Sequence, residues 1–323
     1  MRCKYLKNSE EYSEIHRIDY LCTEIRGYMG KSNSYQFLGH LTALFVVMIW
    51  GETFVSSKVL LNAGLMPADI FFYRFLLAYA LIWFVSYKRL WCRNYTDELT
   101  CFALGILGGS LYFLTENMAL VYDLASNVAI LVSSCPLITA FLLSIFYKNE
   151  RLNRKQIFGS VFAFLGMVMV VLNGQLILHV NPQGAVLAIS AALSWAFYSL
   201  LMKRVMHKYS SWFITRKVFF YGLLTILPYY AFVSPLNTDM AILSRPEVYG
   251  NLIYLGAVAS MFCYMMWNWT LSKLGAVKAT NYIYLQSLFT MLFAWIILHE
   301  RITWMAIAGA VILILGMIRA ERK

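Results

Sequence analysis

Four ionisable side chains interrupt stretches that are otherwise apolar. Glu52 and Lys58 lie in "MIWGETFVSSKVLL", Arg74 in "FFYRFLLAYALI" and Glu116 in "ENMAL". A charge at the centre of a membrane-spanning helix costs about 2.5–3.5 kcal/mol on insertion scales, so such charges face a cavity or a partner. Two are acidic and two basic, and the economical arrangement is a paired network around a cavity. The chemistry open to it is ligand and proton binding. Burial favours a neutral carboxyl group and a nearby guanidinium favours its ionised form. A carboxyl group balanced between the two can take a proton on one side and release it on the other, a role open to Glu116 and to Glu52.

Polar and aromatic residues in neighbouring runs extend the set. Trp50, Tyr112, Asn117, Trp195, Tyr264, Asn268 and Gln286 are candidates for an aromatic, hydrogen-bonding pocket suited to amphipathic solutes. The alternative for the aromatics is a place in the interfacial belts. Arg74 has a structural alternative as well, an ion pair with Glu116 or Glu52. Lys58 sits about 13 Å from the middle of its run, at 1.5 Å per residue, where its stem can reach outward to the lipid phosphates.

The elements that must position these groups are membrane helices. The chain has 323 residues, 60% of them hydrophobic and 13% charged, against about 25% charged in a soluble domain. Ten stretches approach the roughly 20 apolar residues of a spanning helix. They are 37–61, 68–87, 99–121, 124–147, 156–173, 183–202, 212–234, 249–271, 277–298 and 303–319. Basic residues cluster after the second, fourth, sixth and eighth runs and at the C-terminus. The net charge of +11 therefore follows the positive-inside rule, not a nucleic-acid patch. It places both termini in the cytoplasm, and the chain is expected in the inner membrane.

Other classes find little support. The six cysteines have no paired spacing, so neither a metal site nor a disulfide frame is expected. No zinc-protease, Walker A or nucleophile-elbow motif is present, so neither an enzyme nor a bound cofactor is expected. Residues 1–34 are polar without an apolar core. They read as a disordered tail or as an over-extended start before Met29.

The chain is internally repeated. Trp50 and Lys58 recur as Trp195 and Lys203, 145 residues on. Glu150-Arg151, Gly159 and Gly166 recur 150 residues on as Glu300-Arg301, Gly309 and Gly316. The repeats are 35–174 and 182–319, five spans each. Five is odd, so the second copy enters the membrane from the opposite side, the plan of many secondary transporters, with substrate bound near the midplane. The expected fold is all-α, with ten transmembrane helices in two inverted five-helix repeats.

Taken in order, "WGETF", Arg74, "ENMAL", Pro136, the two Glu-Arg pairs and the two Gly-x6-Gly pairs resemble the EamA-type members of the drug/metabolite transporter superfamily from about Tyr35 to Arg319. Glu52 departs from the small hydroxyl residue common after Trp-Gly, and the ninth span lacks the proline matching Pro136. The resemblance implies a small-molecule substrate, a bilayer setting and export. Pro136 is expected to form a hinge or a fixed kink. The glycines are expected to pack helices, within the chain or at a homodimer interface.

Overall fold

A computed structural model describes residues 35–87, 90–123, 125–146, 154–172, 181–298 and 303–321. The N-terminal 34 residues and both Glu-Arg pairs lie outside the described residues. All regular structure among the described residues is helical. The helices are α1 Tyr35–Asn62, α2 Pro67–Trp83, α3 Tyr95–Tyr122, α4 Ala125–Val132, α5 Cys135–Phe146, α6 Arg154–Leu172 and α7 Pro182–Val205. They continue as α8 Ser211–Phe232, the single-turn α9 Met240–Leu243, α10 Pro246–Leu274, α11 Ala276–Asn281, α12 Ile283–Leu298 and α13 Trp304–Glu321. By length and composition, α1, α3, α7 and α10 are long and apolar enough to cross a membrane.

Local chemistry sets the helix starts. Pro67, Pro182 and Pro246 open their helices, where a missing N–H costs nothing. Asn181 and Ser210 accept side-chain bonds from Gln183 N and Phe213 N and so cap α7 and α8. Gly275 joins α10 to α11 at φ +80°, a conformation that would strain any residue with a Cβ.

Three local departures shape the centre of the bundle. The chain breaks at Ser133 and Ser134 between α4 and α5, and again at Tyr282 between α11 and α12. Pro136 falls in the first turn of α5, where it removes no helical bond, so the discontinuity lies before it and no mid-helix kink forms. In the second half the break comes at Tyr282, four residues ahead of the position matching Pro136, and needs no proline. The third departure is a pair of widened π-helical turns, Ile106–Ser110 in α3 and Tyr254–Phe262 in α10. Their loosened carbonyls accept bonds from other helices. Trp50 Nε1 donates to Ala259 O at 3.0 Å, and Ser194 Oγ to Leu107 O at 2.8 Å. Thus α1 is tied to α10 and α7 to α3.

The glycine pairs face one another inside the chain. A Cβ on Gly166 would collide with the backbone of Leu313 and Gly309, and one on Gly316 with that of Ala163 and Gly159. These faces join α6 to α13, so they do not supply a free surface for a second copy. Phe158, Phe162, Val311 and Leu315 on the same two helices are all exposed, as a lipid-facing surface requires. At one end of the bundle the N-terminal turn of α3 is clamped to α8 and its preceding turn. Lys217 pairs with Glu98 and Lys208 with Asp97, while Tyr221 and Tyr209 donate to the same two carboxylates.

Candidate functional site

The bundle encloses a central cavity between elements of both halves. Its wall includes Trp50 and Thr53 from α1, Arg74 from α2, and Tyr112, Phe113 and Glu116 from α3. Val132 and Cys135 flank the α4–α5 break, Ile283 and Gln286 follow the α11–α12 break, and Trp195 and Tyr264 come from α7 and α10. Its water-accessible volume is about 30 Å³, room for about two water molecules. As it stands the cavity is too small for an organic solute.

The aromatic wall is packed ring on ring. Trp50 meets Trp195 edge-on at 5.4 Å and Trp267 at 5.0 Å, and Tyr112 lies 5.0 Å from Trp195. Offset and edge-on contacts of this kind hold rings rigidly. Helix α12 crosses α1 closely at Gly51, where a Cβ would press on Phe289 and on Gln286 O. That approach lets Gln286 Nε2 reach Trp50 O at 3.3 Å and Thr290 Oγ1 reach Gly51 O at 2.8 Å.

Two opposite charges share the cavity. Arg74 is 2% exposed; its Nε donates to Ser260 Oγ at 2.9 Å and its guanidinium lies 4.1 Å from the Phe113 ring centre. Glu116 Oε1 accepts from Tyr112 OH at 2.8 Å, one helical turn away. Among the described residues, neither Glu116 nor Glu52 comes within 4 Å of the guanidinium, so the ion pair considered for Arg74 is not formed. Its nearest supports are a hydroxyl and a ring. Arg216 lies elsewhere, between Trp83 and Phe213 with Ser86 O accepting from Nη1.

Of the residues expected at the site, Trp50, Arg74, Tyr112, Glu116, Trp195, Tyr264 and Gln286 are brought together. Four are not. Glu52 lies two residues from Trp50 and so about 200° around the helix. It opens into a separate pocket of about 400 Å³ with Ser56, Asn251, Tyr254 and Phe293. Ser56 Oγ bonds both its oxygens, at 2.8 and 2.9 Å. Lys58 donates to Leu120 O at 2.5 Å and Asp123 O at 3.3 Å. It thereby caps the C-terminus of α3, where a cation is favoured, in place of reaching for lipid phosphate. Asn117 is fully buried and donates to Pro67 O at 3.2 Å. Asn268, also fully buried, accepts from Tyr198 OH at 2.6 Å and donates to Thr215 Oγ1 at 2.8 Å, a packing network off the cavity.

Sequence reasoning passed over Thr53, Phe113 and Ser260. Thr53 and Phe113 had a usable signal, since they share a helix face with Trp50 and Glu116 at i, i+3 spacing. Ser260 had none, because its placement depends on the widened turn of α10.

Comparison with known proteins agrees with this architecture. The model of the EamA-like transporter family matches residues 37–172 and again 182–319. A transporter of Archaeoglobus fulgidus is 30% identical over 88% of this chain and 97% of its own length. A protein of Salmonella typhimurium named "Probable amino-acid metabolite efflux pump" is 29% identical over 85% of this chain and 92% of its own. A solved crystal structure shares the fold at a TM-score of 0.68 and 15% identity, covering 88% of this chain and 97% of that one. Apolar helices around an aromatic, charge-bearing cavity are thus joined to a family match over nearly all of the described chain, and the chain belongs to the EamA-like transporter family, a family of multi-pass membrane transporters.

Proposed function

We propose that this transporter moves amino acids or related amphipathic metabolites across the inner membrane by alternating access, in the direction of export. The observation that carries the reading is the central cavity, walled by both halves of the chain and too small as it stands for an organic solute. Ten spans in two inverted repeats, with both termini cytoplasmic, supply the motion. The matched helix breaks, the paired π-helical turns and the reciprocal glycine contacts support that symmetry. Export of amino acids draws support from the name of the Salmonella relative. Proton coupling is assigned to Glu116, the carboxylate that lines the cavity, and Glu52 is left out of it.

The test is flux in liposomes with a panel of amino acids and related metabolites, with and without a pH gradient. Saturable flux of at least one solute, accelerated by the gradient, is the expected result. Absence of flux across the panel from folded protein overturns the transport reading. Gradient-driven flux that survives Glu116→Gln overturns the assignment of coupling to Glu116, and wild-type flux indifferent to the gradient leaves an uncoupled facilitator or importer of the same fold.

A further inference from the structure

We infer that Arg74 and Glu116 form a dipolar clamp for zwitterions, with the ligand's carboxylate on Arg74 and its ammonium on Glu116. The inference rests on the transport reading above and goes further, assigning the orientation of the solute and the residues that select it.

The argument begins with what the two charges lack. Arg74 spends Nε on Ser260, and among the described residues its two Nη groups have no hydrogen-bond partner. Glu116 spends Oε1 on Tyr112, and its second oxygen has none either. Each charge is steadied by a neutral neighbour, so each is oriented without being neutralised. Isolated charges in a low-dielectric interior are costly. If the pair served structure alone, direct contact would be the favourable arrangement. Held apart in one small cavity, the two charges are complementary to a third body that carries both signs.

A zwitterion answers both at once and adds no net charge. The Nη groups form a planar fork that matches a carboxylate in two parallel bonds. An ammonium group is a compact donor suited to the free oxygen of Glu116. A simple anion would satisfy Arg74 but meet the Glu116 carboxylate; a simple amine would satisfy Glu116 but leave Arg74 uncompensated. Sites built this way reject analogues that lack one polar group, because the partner left behind stays buried and unpaired. The remaining wall is dominated by the rings of Trp50, Phe113, Trp195 and Tyr264, beside smaller apolar and polar groups, so the third substituent meets rings.

L-phenylalanine, 2-phenylethylamine and 3-phenylpropionate share one scaffold and differ by one charge. Their binding to detergent-purified protein can be measured by calorimetry. The wild type is expected to bind phenylalanine at least about tenfold tighter than either analogue. Arg74→Gln should lower phenylalanine to the affinity of phenylethylamine, with the latter unchanged or improved. Glu116→Gln should lower phenylalanine to the affinity of phenylpropionate, with the latter unchanged or improved. Arg74→Lys keeps the charge without the fork and should retain an intermediate affinity, which covers the case in which Arg74→Gln fails to fold. A wild type that binds none of the three or does not discriminate among them, or variants that weaken all three equally, would overturn the clamp. Liposome flux of other solutes under those outcomes would leave the transport reading standing, whereas loss of all flux would remove both.

Discussion

Trp50 and Glu52 stand two residues apart on α1 and open into different cavities. The indole faces the central site and the carboxylate faces the groove toward α10 and α12. Glu52→Gln is therefore expected to leave solute affinity within about twofold, about 0.4 kcal/mol, of the wild type. Calorimetry on the purified variant checks this. A loss as large as that of Glu116→Gln would place Glu52 in the central site after all.

The Lys217–Glu98 pair is expected to dominate the stability of its end of the bundle. The two side chains are 5% and 16% exposed, and Tyr221 also donates to Glu98. Removing one partner of a buried pair costs about 3–5 kcal/mol, because the other charge is left alone. Lys217→Met should sharply lower the thermal midpoint in detergent. Adding Glu98→Gln should restore much of the loss, and a double variant no better than the single would show that the pair is not what holds α3 to α8.

Gly166→Ala and Gly316→Ala should each destabilise the protein, since the new methyl group meets backbone atoms of the facing helix. Overpacking of this kind costs about 1–3 kcal/mol. Gly250→Ala is the contrast. Its Cβ would meet nothing within 4 Å, and helix propensity favours alanine by about 1 kcal/mol. Thermal midpoints for the three variants should fall on opposite sides of the wild type.

Asn281 ends α11 at the second break, 1% exposed, with neither its oxygen nor its nitrogen bonded. An unsatisfied buried amide costs about 1–3 kcal/mol. Asn281→Leu should therefore raise the thermal midpoint of this contracted conformation. If another conformation of the transport cycle satisfies the amide, the same variant should slow liposome flux. A raised midpoint with unaltered flux would show that the amide stays unsatisfied throughout the cycle.

Much of this architecture was legible in the sequence, and the exceptions have physical reasons. Long apolar runs and duplicated residues pointed to helices and to the chemistry of the central site. Glu52 went astray because a charge in an apolar run signals a cavity without saying which one. The helical spacing from Trp50 held that answer. Asn117 and Asn268 look like lining residues in one dimension, but each is held by a partner on another helix, Asn117 through its nitrogen alone. The second helix break carries no proline, and the widened turns leave no mark on a pattern read with a period of 3.6 residues. Ser260, which steadies Arg74, was hidden for the same reason.

The ties from Trp50 to Ala259 O and from Ser194 to Leu107 O have donors made of side chain and acceptors made of main chain. Positions 107 and 259 can therefore drift in identity through evolution while the acceptor stays in place. Positions 50 and 194 have no such freedom. Variation among descendants of this sequence should be lopsided across each tie, tolerant on one side and restricted on the other.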